Sequence, residues 1–400
     1  MTTFNQQTTS RLRSPDQLPT PARAEVAAPP VPPAAMPFID LQSQRRRIAG
    51  AVDRAIAGVL AHGQFIMGPE VKRLEYRLAA HCGAGHAIGC GSGSEALLLA
   101  LLALDARPGD AVFVPSFTFT ATAEMVALIG ATPVFVDVAE DDFNMAPASL
   151  AAAIEAVAAE GRLRPAGVIA VDLFGQPADY AVLHEVAVRH RLWVIADAAQ
   201  SYGARAPEGR VGTLAAVTTT SFFPAKPLGC YGDGGAVLTD DDGLAETVRS
   251  LLFHGRSADR RDMVRIGLNG RLDTIQAAVL LEKLEIFEDE LRLRQAVADR
   301  YEAGLRDVAR TPPLKSGRSS SWAQYTILLD GRDRVEGIPT AIHYALPVHR
   351  QSAYRSFPVA PDGLPVTEAL SRRVLSLPMH PYLDEVAQGR VIAAVRAAAG

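Results

Sequence analysis

The stretch RLWVIADAAQ, Arg191–Gln200, is a short apolar run that ends in an acid. The run from Leu192 to Ala196 predicts a buried β-strand, and Asp197 stands where that strand should end. In open α/β sheets, ligands bind just beyond the carboxyl ends of the strands. Asp197 is therefore a candidate site residue, although an isolated aspartate before a helix is also a typical N-cap.

Short apolar runs alternate with longer helical patterns on both sides of this strand. The runs are HAIGC, AVFVPSF, PVFVDV, GVIAVDLFG, LWVIADAA and VTTTSFF. This alternation predicts an α/β protein with a mainly parallel sheet covered by helices. After GGAVLTD, a long helical stretch places Val297, Tyr301 and Leu305 on one face. We expect it to lead from a large domain, residues 36–285, into a smaller C-terminal domain, residues 286–400.

Composition and charge argue against several classes of protein. The chain has 400 residues, 48% hydrophobic and 21% charged, which is typical of a globular enzyme of more than one core. The net charge of −4 provides no basic field for nucleic acid, and no apolar run is long enough to predict a membrane span. Residues 1–35, rich in proline and alanine, predict a disordered extension. Three cysteines without paired or metal-like spacing favour a reducing cytoplasm.

Lys226 follows the strand-like run VTTTSFF. Most lysines lie on solvated surfaces, and that is the simplest interpretation of a single one. The neighbouring Phe222, Phe223, Pro227 and Leu228 instead favour partly apolar surroundings. A lysine in such surroundings loses proton affinity and becomes a usable nucleophile.

A third candidate feature is the Gly-Ser-rich turn in IGCGSGSEALLL, between a strand and a helix. Amides at a helix start, with the hydroxyls of Ser92 and Ser94, form an anion site, although a capped helix without a ligand has the same pattern. A lysine, a strand-end aspartate and a phosphate cradle together indicate pyridoxal 5'-phosphate. The lysine would form a Schiff base with the aldehyde, and the aspartate would keep the ring nitrogen protonated.

The chain resembles the DegT/DnrJ/EryC1/StrS family of nucleotide-sugar aminotransferases, from about Phe38 to Leu383. The motifs that carry the resemblance are DAAQSYGA, SFFPAKPLGCYGDGGA, LNGRLDTIQAAVL, PTAIHYALPVH and VLSLPMHPYL. The sequence FFPAKPLGCYGDGGA, together with RLDTIQAAVLLEKLEIFE, is most similar to the branch of the family that aminates UDP-2-acetamido-2-deoxy-3-oxo-glucuronic acid.

The resemblance implies the fold type I of pyridoxal-phosphate-dependent transferases. In this fold a large domain with a mainly parallel seven-stranded sheet is joined to a smaller C-terminal α+β domain. It also implies a homodimer with an active site shared between subunits, glutamate as amino donor and a keto nucleotide sugar as acceptor. The product would serve surface polysaccharide or amino-sugar biosynthesis.

The resemblance also implies a role for each matching residue. Lys226 corresponds to the Schiff-base lysine, and Asp197 to the partner of the pyridinium nitrogen. The remaining cofactor contacts are Gly93, Ser94 and Ser221 at the phosphate, Phe119 on the ring, Gln200 at the ring hydroxyl, and Asn269 from the neighbouring subunit. The expected sugar contacts are Arg271, His343 and Tyr344, with the arginine facing the sugar carboxylate.

Structural interpretations of several of these residues stay open at this point. Phe119 is also compatible with a core position, Ser221 with a local hydrogen bond, and Asn269 with a turn. Arg271 is also placed to pair with Asp273 at a helix start.

Other functions also stay open. GSGSEA fits a dinucleotide-binding turn, but the next strand ends in Pro115 and Ser116, where such a site requires an acid. A dehydratase of the same fold would have histidine in place of Lys226. A non-catalytic sensor, or an aminotransferase for another 3-keto or 4-keto dTDP- or UDP-hexose, would share these motifs. His343 and His349 do not have metal-ligand spacing, and we expect no metal site.

Overall fold

The computed structural model describes residues 36–400, so the extension predicted for residues 1–35 lies outside the described residues. Its first helices are α1 (Leu41–Arg47), α2 (Ala49–His62) and α3 (Pro69–Cys82). Helix α3 begins at Pro69, because the first helical position needs no backbone donor. It ends before Gly83, whose φ of 88° suits a residue without a side chain.

A seven-stranded sheet forms the centre of the molecule. The strands of the chain are β1 (His86–Cys90), β2 (Asp110–Pro115), β3 (Thr132–Val136), β4 (Arg164–Val171), β5 (Trp193–Asp197), β6 (Arg205–Ala206), β7 (Gly209–Arg210), β8 (Val217–Ser221), β9 (Gly235–Thr239), β10 (Tyr325–Leu328) and β11 (Val374–Leu377). The sheet order is β1-β9-β8-β5-β4-β2-β3, in which β9 is antiparallel to both β1 and β8 and the other pairs are parallel. The predicted mainly parallel sheet is confirmed.

Most strands of this sheet are buried because helices cover it. The later helices are α4 (Gly93–Ala103), α5 (Ala121–Leu128), α6 (Pro147–Glu160), α7 (Tyr180–Arg189), α8 (Asp242–Leu251), α9 (Thr274–Leu305), α10 (Pro365–Arg373) and α11 (Glu385–Ala399). Strand β2 is buried along its whole length, and α4 is rich in leucine and packs against β8 and β9. Continuous apolar strands of this kind are typical of α/β sheets with helices on their faces.

Helix α9 connects the sheet with a second, smaller cluster of elements. Ala277, Leu280 and Phe287 pack with residues of α3, β1 and β9. Further along α9, Val297 and Tyr301 pack with residues of the antiparallel pair β10–β11 and of α11. The predicted division at residue 285 falls inside this one helix and stays a prediction.

Two features of the described residues bear on binding. None of the helices in residues 36–400 is both long enough and apolar enough to span a bilayer. Within the same residues, no group of three His, Cys, Asp or Glu side chains is arranged to bind a metal ion.

Candidate active site

The predicted cofactor residues lie at one edge of the sheet. Strands β1, β2, β5 and β8 run in the same direction, because β1 and β8 are each antiparallel to β9. Their carboxyl ends therefore meet at a common edge. This edge carries Gly93 and Ser94 after β1, Phe119 after β2, Asp197 and Gln200 at and after β5, and Ser221 and Lys226 at and after β8.

Asp197 is a buried carboxylate held by two donors. The hydroxyl of Thr122 donates to its Oδ2 at 2.9 Å, and the backbone N–H of Ala199 donates to its Oδ1 at 3.2 Å. Burial raises the pKa of Asp197, and these two hydrogen bonds and the positive charge of Lys226 offset part of the rise. Sequence analysis missed Thr122, which follows β2 in the first turn of α5 and has no local signal of its own.

Lys226 lies in a turn that begins at Phe223, whose carbonyl accepts the Lys226 N–H at 2.8 Å. Its residue is half-buried, and the burial of its amine lowers the pKa of Lys226, while the negative charge of Asp197 acts in the opposite direction. The surface-lysine interpretation is wrong. The arrangement keeps an amine that loses its proton more readily than an exposed lysine does.

The start of α4 forms a cradle with the end of β8. A Cβ atom at Gly93 would lie 2.6 Å from Cβ and 3.0 Å from Oγ of Ser221, so this close approach requires glycine. Ser92 is the N-cap of α4, and its Oγ accepts the N–H of Glu95 at 3.1 Å. The N–H groups of Gly93 and Ser94 have no partner inside the helix, because they belong to its first turn. They are available to an anion.

Phe119 is 56% exposed, although it follows a fully buried strand. The core interpretation of this residue is therefore wrong. An exposed aromatic face at the carboxyl edge of the sheet is suited to stacking on a planar ring.

Gln200 and Tyr344 are far apart in the sequence but in contact in the structure. Gln200 is buried, and its Oε1 accepts the N–H of Phe174 at 2.8 Å. Burial raises the pKa of Tyr344, and the neighbouring side chain of Gln200 offsets part of the rise. The ring of Tyr344 also packs edge-on against Phe117, with 6.2 Å between centroids. Gln200, expected at the ring hydroxyl, and Tyr344, expected at the sugar, are thus neighbours.

His343 lies close to the lysine loop. Its Nδ1 is 2.9 Å from Oγ of Ser376 in β11. Burial lowers the pKa of His343, and the positive charge of Lys226 lowers it further. The second small cluster of elements therefore contributes His343 to the surroundings of Lys226.

Arg271 and Asn269 lie beside the end of β1. The guanidinium of Arg271 is 4.6 Å from the ring centroid of Phe253, so Phe253 rather than Asp273 is its partner. Among residues 36–400, the buried Nε of Arg271 has no hydrogen-bond partner. Asn269 is exposed, and the structure of this chain does not bring its side chain into the cluster around Lys226.

Comparison with known proteins identifies the family. The model of the DegT/DnrJ/EryC1/StrS aminotransferase family matches residues 47–396. The chain belongs to this family. Membership confirms the predicted α/β aminotransferase and excludes a nicotinamide oxidoreductase.

Three members of the family illustrate the similarity. The UDP-2-acetamido-2-deoxy-3-oxo-D-glucuronate aminotransferase of Pseudomonas aeruginosa is 47% identical over 357 residues, which cover 87% of this chain and 96% of that protein. The crystal structure of a family aminotransferase from Brucella abortus has 52% identity and a TM-score of 0.90, covering 91% of this chain and 100% of that one. The crystal structure of ntda from Bacillus subtilis with bound cofactor PMP has 26% identity and a TM-score of 0.80, covering 91% and 85%.

Proposed function

We propose that this chain is a pyridoxal 5'-phosphate-dependent aminotransferase that moves the amino group of glutamate to a keto nucleotide sugar. The observation that carries the proposal is that the buried carboxylate of Asp197 and the buried amine of half-buried Lys226 influence each other electrostatically at the carboxyl edge of the sheet. The acceptor we propose is UDP-2-acetamido-2-deoxy-3-oxo-glucuronate, because the relative from Pseudomonas aeruginosa bears that name.

The residues of the chain fit pyridoxal 5'-phosphate at three points. The N–H groups of Gly93 and Ser94, with Oγ of Ser221, provide donors for the phosphate in a cradle that a side chain at Gly93 would fill. Phe119 offers an exposed aromatic face for the ring. Burial raises the pKa of the Asp197 carboxylate, and a protonated ring nitrogen would supply a positive charge that favours the ionised form.

The chemistry is divided between the cofactor and the chain. When bound, pyridoxal 5'-phosphate supplies an aldehyde that carries the amino group and a ring that accepts electrons. Lys226 supplies an amine that can take up a proton at Nζ and return it, because its pKa is lowered. Asp197, oriented by Thr122 and Ala199, stabilises positive charge at the ring nitrogen. Over both halves of the reaction, glutamate leaves as 2-oxoglutarate and the keto carbon of the sugar receives the amino group.

The acceptor side has a cationic group for an acidic sugar. Arg271 has a buried N–H without a partner in residues 36–400, and guanidinium groups bind carboxylates through paired hydrogen bonds. Burial and the positive charge of Lys226 lower the pKa of His343, and the side chain of Gln200 offsets part of the rise that burial causes in the pKa of Tyr344, so both residues adjoin the proposed cofactor site. We assign these three residues to the sugar.

We also propose a homodimer in which each active site uses both subunits. Exposed Asn269 follows a segment with exposed apolar side chains, among which Met263 and Val264 are more than half exposed and Ile266 is 92% exposed. Clustered exposed apolar residues are typical of protein contact surfaces. Asn269 would reach the phosphate of the neighbouring site.

The reaction is proposed to take place in the cytoplasm, within surface polysaccharide or amino-sugar biosynthesis. Cys82, Cys90 and Cys230 are all buried free thiols. Free thiols are typical of proteins from reducing compartments.

The donor half of the proposal is tested by incubating purified, cofactor-loaded protein with glutamate alone. We expect one 2-oxoglutarate per active site, measured by mass spectrometry. A protein that binds the cofactor but releases no 2-oxoglutarate would instead be a non-catalytic member of the family.

The acceptor is tested with a panel of 3-keto and 4-keto sugars linked to UDP or dTDP. We expect amination of the UDP-linked 3-oxo-glucuronate, and a preferential loss of that substrate over its neutral 3-keto analogue in Arg271→Met. Amination of neutral sugars only would assign the chain to another sugar.

The shared site is tested by mixing two variants. Lys226→Ala and Asn269→Asp chains should each be inactive, and co-expression should restore activity, because a mixed dimer contains one site without either substitution. Failure of the mixture to gain activity, although mixed dimers are isolated, contradicts the shared site.

A further inference from the structure

Ser116, His349 and Glu368 form a continuous chain of hydrogen bonds, named here the clasp. Oγ of Ser116 is 2.6 Å from Nδ1 of His349, and Nε2 of His349 is 3.1 Å from Oε1 of Glu368. The backbone N–H of His349 also donates to Oγ of Ser116 at 3.2 Å, and the N–H of Val348 donates to the Ser116 carbonyl at 3.1 Å. Ser116 thus accepts hydrogen bonds from the backbone N–H groups of two consecutive residues, Val348 and His349.

One neutral tautomer of His349 satisfies all the hydrogen bonds of the clasp. Since Oγ of Ser116 accepts from a backbone N–H, its own proton is free to be donated to Nδ1 of His349. Nε2 of His349 then carries the ring proton and donates it to the carboxylate of Glu368. With this tautomer, the hydroxyl and both ring nitrogens have partners.

The serine, histidine and acid follow the order of a hydrolytic triad, but the clasp is not one. Ser116 is completely buried, and Oγ makes two hydrogen bonds within the protein. A nucleophilic serine requires access for its substrate, and this serine has none. The clasp must act through the segments that it joins.

Each end of the clasp continues directly into the active site. Ser116 ends the run from β2 and precedes Phe119 by three residues, and His349 follows Tyr344 by five residues. The intervening Leu346 is 54% exposed, so packing of that side chain does little to hold the segment. After Tyr344 the segment is next attached at the buried Val348 and at the clasp. Before Tyr344, Ala341 pairs with Ser376 and Nδ1 of His343 lies 2.9 Å from Oγ of the same serine.

We propose that His349 is a positioning residue, which sets the place of Tyr344 at the sugar side of the site through its bond to Ser116. The inference rests on the proposed function, because it takes Tyr344 as a contact of the nucleotide sugar. Loss of the clasp lets the Tyr344 segment shift, while Lys226, in the turn after β8, and Asp197, at the end of β5, keep their places. The clasp therefore controls affinity for the acceptor sugar and leaves the reaction with glutamate unaffected.

The experiment measures the two half-reactions separately in four variants of the cofactor-loaded protein. His349→Phe keeps a ring against Phe135, whose ring centroid lies 6.4 Å away, and removes the two side-chain hydrogen bonds of His349. Ser116→Ala removes only the hydroxyl. His349→Asn keeps an amide near the position of Nδ1, and His349→Gln keeps one near Nε2. The matched control is His184→Phe. His184 lies in α7, away from the carboxyl edge of the sheet, and its ring donates a hydrogen bond to the carbonyl of Leu214.

We expect His349→Phe and Ser116→Ala to raise KM for the keto sugar by ~10–100-fold, the effect of a small misplacement. Their rate with glutamate alone should change less than threefold. His349→Asn should retain more sugar affinity than His349→Gln, because it preserves the link to Ser116. His184→Phe should leave both half-reactions unchanged.

Three results would overturn the inference. They are unchanged KM values in His349→Phe and Ser116→Ala, an equal loss in both half-reactions, and a His349→Gln variant as good as His349→Asn. Failure of the unsubstituted protein to react with glutamate would instead count against the proposed function, so the two failures are distinguishable.

Discussion

Two lysines with buried amines, Lys226 and Lys283, have similar surroundings but different positions in the fold. Burial lowers the pKa of both lysines, to about 8 for Lys283. The negative charge of a nearby acid opposes this change, from Asp197 at Lys226 and from Glu290 at Lys283. Lys226 lies in a turn after β8, at the edge where the strand ends meet. Lys283 lies in the middle of α9 and is 1% exposed.

The surroundings of Lys283 are those of a structural cluster. Its Nζ lies 4.5 Å from the ring centroid of Tyr231. Glu290 accepts hydrogen bonds from Gln44 at 2.8 and 3.1 Å and from Tyr382, so the cluster joins α1, α9 and the C-terminal part of the chain. A shifted pKa alone therefore does not distinguish a catalytic lysine. What distinguishes a catalytic lysine is a position at the sheet edge, where a substrate can reach its amine. The following experiments test that distinction.

The same substitution at both lysines should give the largest contrast. Lys226→Met removes the amine that we propose binds the cofactor and moves the proton, and we expect turnover to fall by ~10³-fold or more. Lys283→Met should retain turnover within a factor of about 3, since that side chain reaches no substrate. The measurement is transamination between glutamate and the keto sugar.

A second readout of this contrast does not depend on activity. Borohydride reduction of the loaded protein, followed by peptide mass mapping, should find the cofactor attached at Lys226 and not at Lys283. A fall in turnover of similar size in both variants would show that burial, rather than access, is the relevant property.

Asp197→Asn tests the acid of the first pair. The amide keeps the shape of the carboxylate but removes its charge, so positive charge on the ring nitrogen is no longer stabilised. We expect a loss of ~10²-fold or more in the rate with glutamate, with the cofactor still bound. Glu290→Gln is the matched control and should leave that rate unchanged. An Asp197→Asn protein of normal rate would remove this carboxylate from the mechanism.

Lys283 should reduce stability rather than contribute to catalysis. Its ammonium group is buried, and a shift from the ordinary 10.5 to about 8 corresponds to a penalty of at most ~3 kcal/mol. We expect Lys283→Met to raise the free energy of unfolding by ~1–3 kcal/mol at pH 7. Between pH 8 and 10.5 the unfolded chain binds this proton and the folded chain does not, so the unsubstituted protein gains stability and the difference shrinks.

Urea unfolding at several pH values between 7 and 10 measures this difference. Lys72→Met, at an exposed position of α3, is the control and should have no pH-dependent effect of this size. If Lys283→Met is destabilising at pH 7, the buried ammonium is instead stabilised by its partners.

Phe119→Ala should have the smallest effect. The side chain is mostly exposed, so its loss should hardly alter the free energy of unfolding. Stacking of an aromatic pair contributes ~0.5–1.5 kcal/mol, so we expect about a tenfold weaker affinity for pyridoxal 5'-phosphate at most. Equilibrium dialysis measures this affinity, and Tyr76→Ala, at an exposed position of α3, is the control. Unchanged affinity in Phe119→Ala would contradict its stacking role.

Much of the fold could be predicted because it follows from local pattern. Apolar runs alternating with helical segments required a mainly parallel sheet, and the acid at the end of one run marked Asp197. Lys226 was recognised from its apolar neighbours. These signals lie within a few residues of one another, so the order of residues along the chain suffices to read them.

The tertiary structure alone decided the remaining contacts. The hydrogen bonds of Thr122 to Asp197 and of Ser116 to His349, and the approach of Tyr344 to Gln200, join segments that are far apart along the chain. The burial of Lys283 depends on which side of α9 faces its neighbours, and the spacing of apolar residues in that helix did not indicate it. Hydrogen bonds and burial depend on distances in space, and local sequence patterns specify only the elements whose packing brings such groups together.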